Sequence, residues 1–267
     1  LLGVVVFAVC APVVGCLLDG LDRKVSAHMQ GRVGPKLLQP YYDVRKLLAK
    51  EQASVNAVDE AYITCAIIFC LLAGGMFISG SNLLMCVFLV TLATLFVIIA
   101  SYSARSPFAD TGADRECLQV MSYEPMLLIM TVGFFGATQS FDTASLLTLE
   151  QPMIISLIPI FLGLLFILTI KLRKSPFDYS YSHHAHQELV KGITTEMEGR
   201  TLAKVEIMHW CETVLFLMWV GMFFIWDNPI SFVVALVVVA LTWFFEVFID
   251  NNSARTKWQF GLKYAWL

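Results

Sequence analysis

Four carboxylates and one histidine stand in stretches whose other residues are almost all apolar. Glu124 lies in SYEPMLL, Glu206, His209 and Glu212 lie in KVEIMHWCETV, and Glu246 lies near the end of ISFVVALVVVALTWFFEVFI. An ionisable group in such surroundings is costly to keep, so each one is a candidate for function. On a helix, residues three apart are neighbours, so Glu206 meets His209 and His209 meets Glu212, forming a polar stripe on a greasy rod. Carboxylates and imidazoles held away from water can load and release protons near neutral pH, and a series of them across a membrane is how proton relays are built. Simpler roles compete. Glu206 and Glu246 could reach to a membrane interface. Glu212 could pair with a basic residue as a structural element. Glu124 is followed by Pro125, which removes a helical donor and frees a carbonyl, and it has polar Ser122 and Tyr123 beside it.

A second group of chemistry-bearing residues lies between the fifth and sixth apolar runs. Asp178, Glu188, Glu196 and Glu198 occur there with the cluster His183, His184 and His186. Three histidines without thiolate or carboxylate partners at ligand spacing make a weak metal signal. A solvated loop, or a proton-collecting mouth, fits them better. The seven cysteines show no CxxC spacing. They read as small apolar residues, and no metal centre or redox cofactor is expected in this chain.

These groups must be positioned by apolar elements. The chain is 58% hydrophobic and 15% charged, against about 25% charged in soluble domains. Seven apolar runs, 1–18, 61–80, 83–103, 120–139, 153–170, 205–226 and 230–249, approach or reach the roughly 20 residues a membrane helix needs. Ser79-Gly80-Ser81-Asn82 breaks the long uncharged stretch 61–104 into a helical hairpin. The segment 257–267, KWQFGLKYAWL, reads as the lead-in to an eighth span beyond the C-terminal end. The expected fold is therefore all-α: one polytopic membrane helix bundle over 1–267.

Lys and Arg are strictly segregated. The loop after run one holds seven, that after run three two, 171–204 six and the tail three, while 81–82, 137–152 and 227–229 hold none. The positive-inside rule places the basic loops in the cytoplasm and the N-terminus outside. The two long cytoplasmic loops, 22–60 and 171–204, face the same way and form a docking face. Within the first, Tyr41 to Leu48 is amphipathic enough to lie on the membrane or under an acidic soluble partner.

The loop Asp22–Glu51 resembles the first cytoplasmic loop of the complex I membrane protein NADH dehydrogenase subunit 1. The matching positions are Arg23, Lys24, Ala27, Gln30, Arg32, Gly34, Pro35, Leu38, Gln39, Pro40, Asp43, Lys46, Leu47, Lys50 and Glu51. Ser122-Tyr123-Glu124, and Pro176-Phe177-Asp178 with Glu188-Leu189-Val190-Lys191-Gly192 and Glu196, extend the resemblance in the right order. The sixth span carries His209 where quinone-linked members have a glutamate, and the stretch before Glu188 is His-rich rather than acidic. These departures look more like the membrane subunit of Ech-type energy-converting NiFe hydrogenases. The resemblance implies a cell-membrane subunit anchoring soluble NiFe hydrogenase large and small subunits and an iron–sulfur subunit, beside an antiporter-like membrane subunit and lipid. The NiFe centre and clusters would reside in those partners. Glu124, Glu188 and Glu196 would carry protons, with Asp178 at the entry; Glu206, His209, Glu212 and Glu246 join them on burial cost. Arg23, Lys24, Arg32, Gln39, Asp43, Lys46, Lys50 and Glu51 would meet the soluble subunits. A quinone-binding subunit of a complex I-type oxidoreductase is the alternative.

Overall fold

The computed structural model describes residues 2–51, 57–177, 180, 191–254 and 256–266. Among these the chain is helical and has no strand. Asp178 and Glu188, and with them the histidine cluster, lie outside the described residues.

Among the described residues six helices are long and apolar enough to cross a membrane. They are α1 (Leu2–Met29), α3 (Ala57–Ile78), α4 (Leu83–Ser103), α5 (Pro107–Thr138), α7 (Gly199–Met222) and α8 (Ile230–Asn252). The expected fifth span differs. Its run divides into a short 3₁₀ turn, Met153–Ile155, and a 14-residue helix α6 (Ile158–Lys171). Pro159 sits in the first turn of α6, where its missing N–H is no loss. At 1.5 Å per residue α6 is about 21 Å long, short of a hydrocarbon core of about 30 Å.

Two helices are longer than their apolar runs. α1 carries on through Asp19, Asp22, Arg23 and Lys24, and α5 begins at Pro107 and takes in Asp114, Arg115 and Glu116. Their lengths, about 42 and 48 Å, exceed the apolar core. Residues expected in the basic loops therefore stand on rigid helix ends. The first loop contributes one further helix, α2 (Gln39–Leu48), with Pro40 in its first turn. The segment 257–267 contains the short helix α9 (Trp258–Ala265), which packs on α5.

α7 organises the bundle, packing against α1, α2, α3, α6 and α8. Leu215, Phe216, Trp219, Val220 and Met222 are fully enclosed, and the main core joins them to Ile63, Ala66, Val87, Val90, Leu127, Met130, Leu164 and Ile167. α1 meets α7 closely at Gly15, where an added Cβ would lie 2.6 Å from the Trp210 carbonyl oxygen. The outer faces of α1 and α8 are open and greasy, with Val5, Val9, Val13, Val233, Leu236 and Leu241 exposed, as lipid-facing helices require. On the side expected to face outward, the α3–α4 turn works as the sequence indicates. Gly80 has φ +78°, and the Asn82 side chain accepts a hydrogen bond from the Met85 N–H at 3.3 Å, capping α4.

Candidate functional site

A polar cavity lies inside the bundle between α4, α5, α6 and α7. Thr94, Glu116, Gln119, Tyr123, Lys171, Arg173, Ser180 and Glu212 line it together with apolar Val97, Ile170, Phe177 and Met208. Each element supplies a face by helical spacing. On α5, Glu116, Gln119 and Tyr123 recur at intervals of three and four and so point one way. On α7, Met208 and Glu212 are one turn apart.

The centre of the cavity is an ion pair. Lys171, the last residue of α6, donates through Nζ to Glu212 Oε1 at 2.6 Å and to Thr94 Oγ1 at 3.0 Å. Both side chains are almost wholly buried, 5% and 7% exposed. The ammonium also lies 4.5 Å from the centroid of the Tyr123 ring and 5.5 Å from that of Phe216, so aromatic faces complete its surroundings. In the same cavity, the Ser180 hydroxyl is within reach of Glu116 Oε2 and of Gln119 Oε1, the latter at 3.1 Å, and Gln119 donates through Nε2 to the Phe177 carbonyl. The backbone supports these contacts: the Ile193 N–H donates to the Ser180 carbonyl at 3.1 Å, and Ser101 on α4 donates to the Ile193 carbonyl at 3.2 Å. Gly112 lets this segment lie directly on α5, since a Cβ there would collide with the Ile193 backbone.

A second polar pocket lies across α7, between α1, α7 and α8. Asp19, Asp22, Lys174, His209, Trp210, Thr213 and Trp243 line it. Lys174 joins Asp22 of α1 to Asp250 of α8, 3.4 Å away, and the Ser175 N–H donates to Asp250 Oδ1 at 2.8 Å. Burial alone would lower the pKa of Lys174, but Asp22 and Asp250 together outweigh it and hold the ammonium above the ordinary lysine range. Trp210 donates through Nε1 to Asp19 at 3.3 Å.

The predicted residues fall in several places. Glu212 belongs to the first cavity and His209 to the second pocket, so the stripe on α7 divides between two sites. Glu206 is half-buried on the same helix. Glu246 is 1% exposed, and among the described residues neither carboxylate oxygen has a hydrogen-bond partner. Glu124 is half-buried; its neighbour Tyr123 takes the enclosed position. Glu196 is exposed. Of the docking residues, Lys24, Arg32, Lys46, Lys50 and Glu51 are exposed. Arg23, Gln39 and Asp43 make contacts within the chain: Arg23 bonds Asp19 and, at 2.8 Å, Asp43, to which Gln39 also donates, so α2 is tied to the end of α1.

Sequence reasoning misses Lys171, Glu116 and Asp19. By hydropathy Lys171 opens a basic loop, yet it is a core residue. The available signal is its place at the very end of an apolar run, shortly before a break. Glu116 lies ahead of its run, on the helical extension of α5, seven residues before Tyr123.

Comparison with known proteins gives a consistent picture. Residues 2–267 match the model of the family described as NADH dehydrogenase. Formate hydrogenlyase subunit 4 of Escherichia coli is 26% identical over 94% of this chain and 89% of its own length. An NADH-quinone oxidoreductase subunit of Rubrobacter xylanophilus is 27% identical over 82% of this chain and 73% of its own. Among solved structures, a chain of the membrane-bound sulfane sulfur reductase, an archaeal respiratory membrane complex, superposes with a TM-score of 0.88. The match covers 99% of this chain and 94% of the other at 21% identity, a likeness of fold.

Proposed function

Because the chain belongs to the NADH dehydrogenase family, we propose that it is the proton-conducting membrane subunit of an ion-translocating, ferredoxin-linked NiFe hydrogenase. Its broader role, a membrane subunit of a complex I-like or hydrogenase-type oxidoreductase assembly, follows from the family and its relatives. The hydrogenase reading draws on the near end-to-end match with formate hydrogenlyase subunit 4 and on His209 in the sixth expected span.

The observation that carries conduction is the polar cavity. Two carboxylates, an ammonium, a guanidinium, an amide and three hydroxyls share it within a bundle otherwise packed with apolar side chains. Such groups are expensive in a membrane and are retained where charge must move. Glu116 and Glu212 are the proton-holding groups of this path, with Glu124, Glu196 and Glu206 on its approaches. Glu188 carries protons with them and Asp178 serves the cytoplasmic entry, both outside the described residues. His209 and Glu246 form a second branch across α7. Reduction and protonation in a redox module above the membrane change the charge over the cavity, and the carboxylates respond by releasing or taking protons. The exposed Lys24, Arg32, Lys46, Lys50 and Glu51 meet the soluble hydrogenase and iron–sulfur subunits, which carry the NiFe centre and clusters. An antiporter-like subunit receives the ion movement in the cell membrane, with the basic loops on the cytoplasmic side.

The similarity to an NADH-quinone oxidoreductase subunit and the pocket between α1 and α7 favour one rival, a quinone-binding subunit. That pocket is lined by polar Asp19, Asp22, Lys174 and His209 and by apolar Leu18, Leu172 and Trp243, groups that suit respectively the carbonyl oxygens and the ring of a quinone. Purification in mild detergent separates the readings. The hydrogenase reading expects a co-purifying soluble protein that contains nickel and evolves hydrogen with reduced ferredoxin. A nickel-free partner with quinone-dependent, inhibitor-sensitive turnover would overturn it.

A further inference from the structure

Among the described residues Lys171 is ion-paired with Glu212, and a second carboxylate, Glu116, lines the same cavity. The pair Lys171–Glu212 is neutral as a unit. That neutrality is what lets it sit in a medium where a single charge is costly. If a proton reaches Glu212, the pairing is lost and the ammonium becomes a bare cation in a low-dielectric site. Glu116 then offers the opposite charge within the same enclosure.

Three features make the move from Glu212 to Glu116 feasible. Lys171 is the last residue of α6 and carries its ammonium on a flexible four-carbon stem, with both carboxylates lining the one cavity that it enters. The Tyr123 ring lies beside the ammonium on α5, the helix that carries Glu116, and stabilises a cation in transit. The Ser180 hydroxyl has one proton and two acceptors in reach, Glu116 Oε2 and Gln119 Oε1. By turning to Gln119 it uncovers Glu116.

We propose that Lys171 is the switch of the polar cavity, its ammonium alternating between Glu212 and Glu116 as protons enter and leave. This rests on the proton-path reading above. In one half-cycle a proton adds to the Glu212 carboxylate, giving the acid, and Lys171 leaves with its own three protons unchanged to pair with Glu116. In the other half-cycle Glu212 gives up that proton toward the far side, and Lys171 returns to the restored carboxylate. One proton has entered, one has left, and the cavity carries its starting charge. Lys171 is thus a positioning residue: it decides which carboxylate is free to hold a proton.

Two measurements on the assembled complex test this. In Glu212→Gln, which removes the charge and keeps the shape, cryo-electron microscopy should find the Lys171 ammonium within hydrogen-bond distance of Glu116. An ammonium still seated on Thr94 and the residue at position 212 overturns the switch. In Lys171→Glu/Glu212→Lys the ion pair is kept but the cation is carried by α7. Proton translocation per electron should fall at least tenfold in reconstituted vesicles, although the complex assembles. Translocation at the parental ratio would mean that the pair is structural only. The switch and the path fail separately. An ammonium that stays in place while Glu212→Gln blocks translocation removes the switch and leaves the path. An ammonium that moves while Glu212→Gln and Glu116→Gln both pump normally removes the path.

Discussion

Lys171 and Glu212 show how unequal the consequences of a single substitution can be in a buried pair. Removing Lys171 strands Glu212 as an uncompensated charge, at a cost of about 3–5 kcal/mol, whereas replacing both with apolar groups is often neutral. Thermal unfolding in detergent should therefore show Lys171→Met strongly destabilised and Lys171→Met/Glu212→Leu restored to near the parent. Glu246 makes the reverse case. It is buried with neither carboxylate oxygen in full hydrogen-bonding geometry, and nearby Thr169 and Lys174 offset its desolvation only in part. Glu246→Leu should gain about 1–3 kcal/mol of stability and, as a member of the proposed second branch, lose translocation. A variant that is less stable than the parent would show that the carboxylate has a partner that matters. Both glutamates can be picked out from sequence because a charge within an apolar run is conspicuous. Their surroundings cannot. Lys171 pairs across 41 residues of chain and Lys174 with Asp22 across 152, and nothing local marks such contacts.

At the scale of elements, the hydrophobic runs locate four of the six long helices among the described residues, α3, α4, α7 and α8, to within six residues at either end, and the Ser-Gly-Ser-Asn turn locates the α3–α4 hairpin. Where the runs mislead, charge is the reason. α1 and α5 continue as helix through charged residues that lower hydropathy without breaking the helix, so their ends look like loops. α6 differs for another reason: hydropathy counts Met153–Ile155 as part of a span, but Pro159 and the preceding turns start the helix later. The α1–α7 contact gives an element-scale prediction. Gly15→Leu would drive a side chain into the Trp210 backbone and push α1 away, costing about 1–3 kcal/mol or more in thermal unfolding. It would also loosen the α2 attachment, because Arg23 and Asp19 on α1 hold Asp43 and Trp210. The Lys174 knot should respond to alkali. Its raised pKa means that its stabilising contribution is complete below the ordinary lysine value of about 10.4 and is lost only as pH rises through the higher folded value. Asp250→Asn should lower the pH at which α8 detaches, read by hydrogen exchange across 240–252.

For the molecule as a whole, the distribution of Lys and Arg supplies the orientation expected from sequence, and composition alone supplies the class. The polar cavity is a property of the assembled bundle: α4, α5, α6 and α7 each bring one or more of its groups, and no single segment contains more than a fragment of it. Sequence points to Glu212, inside an apolar run, and not to Glu116, which lies ahead of one on the charged start of α5. The proposed conduction would link a face of exposed basic residues to a buried set of ionisable ones. The most direct measurement is the number of protons translocated per electron by the assembled complex in vesicles, with Glu116→Gln and with Glu212→Gln. The ratio should fall at least tenfold in each while electron transfer by the soluble module continues. A parental ratio in both variants would contradict conduction through this cavity.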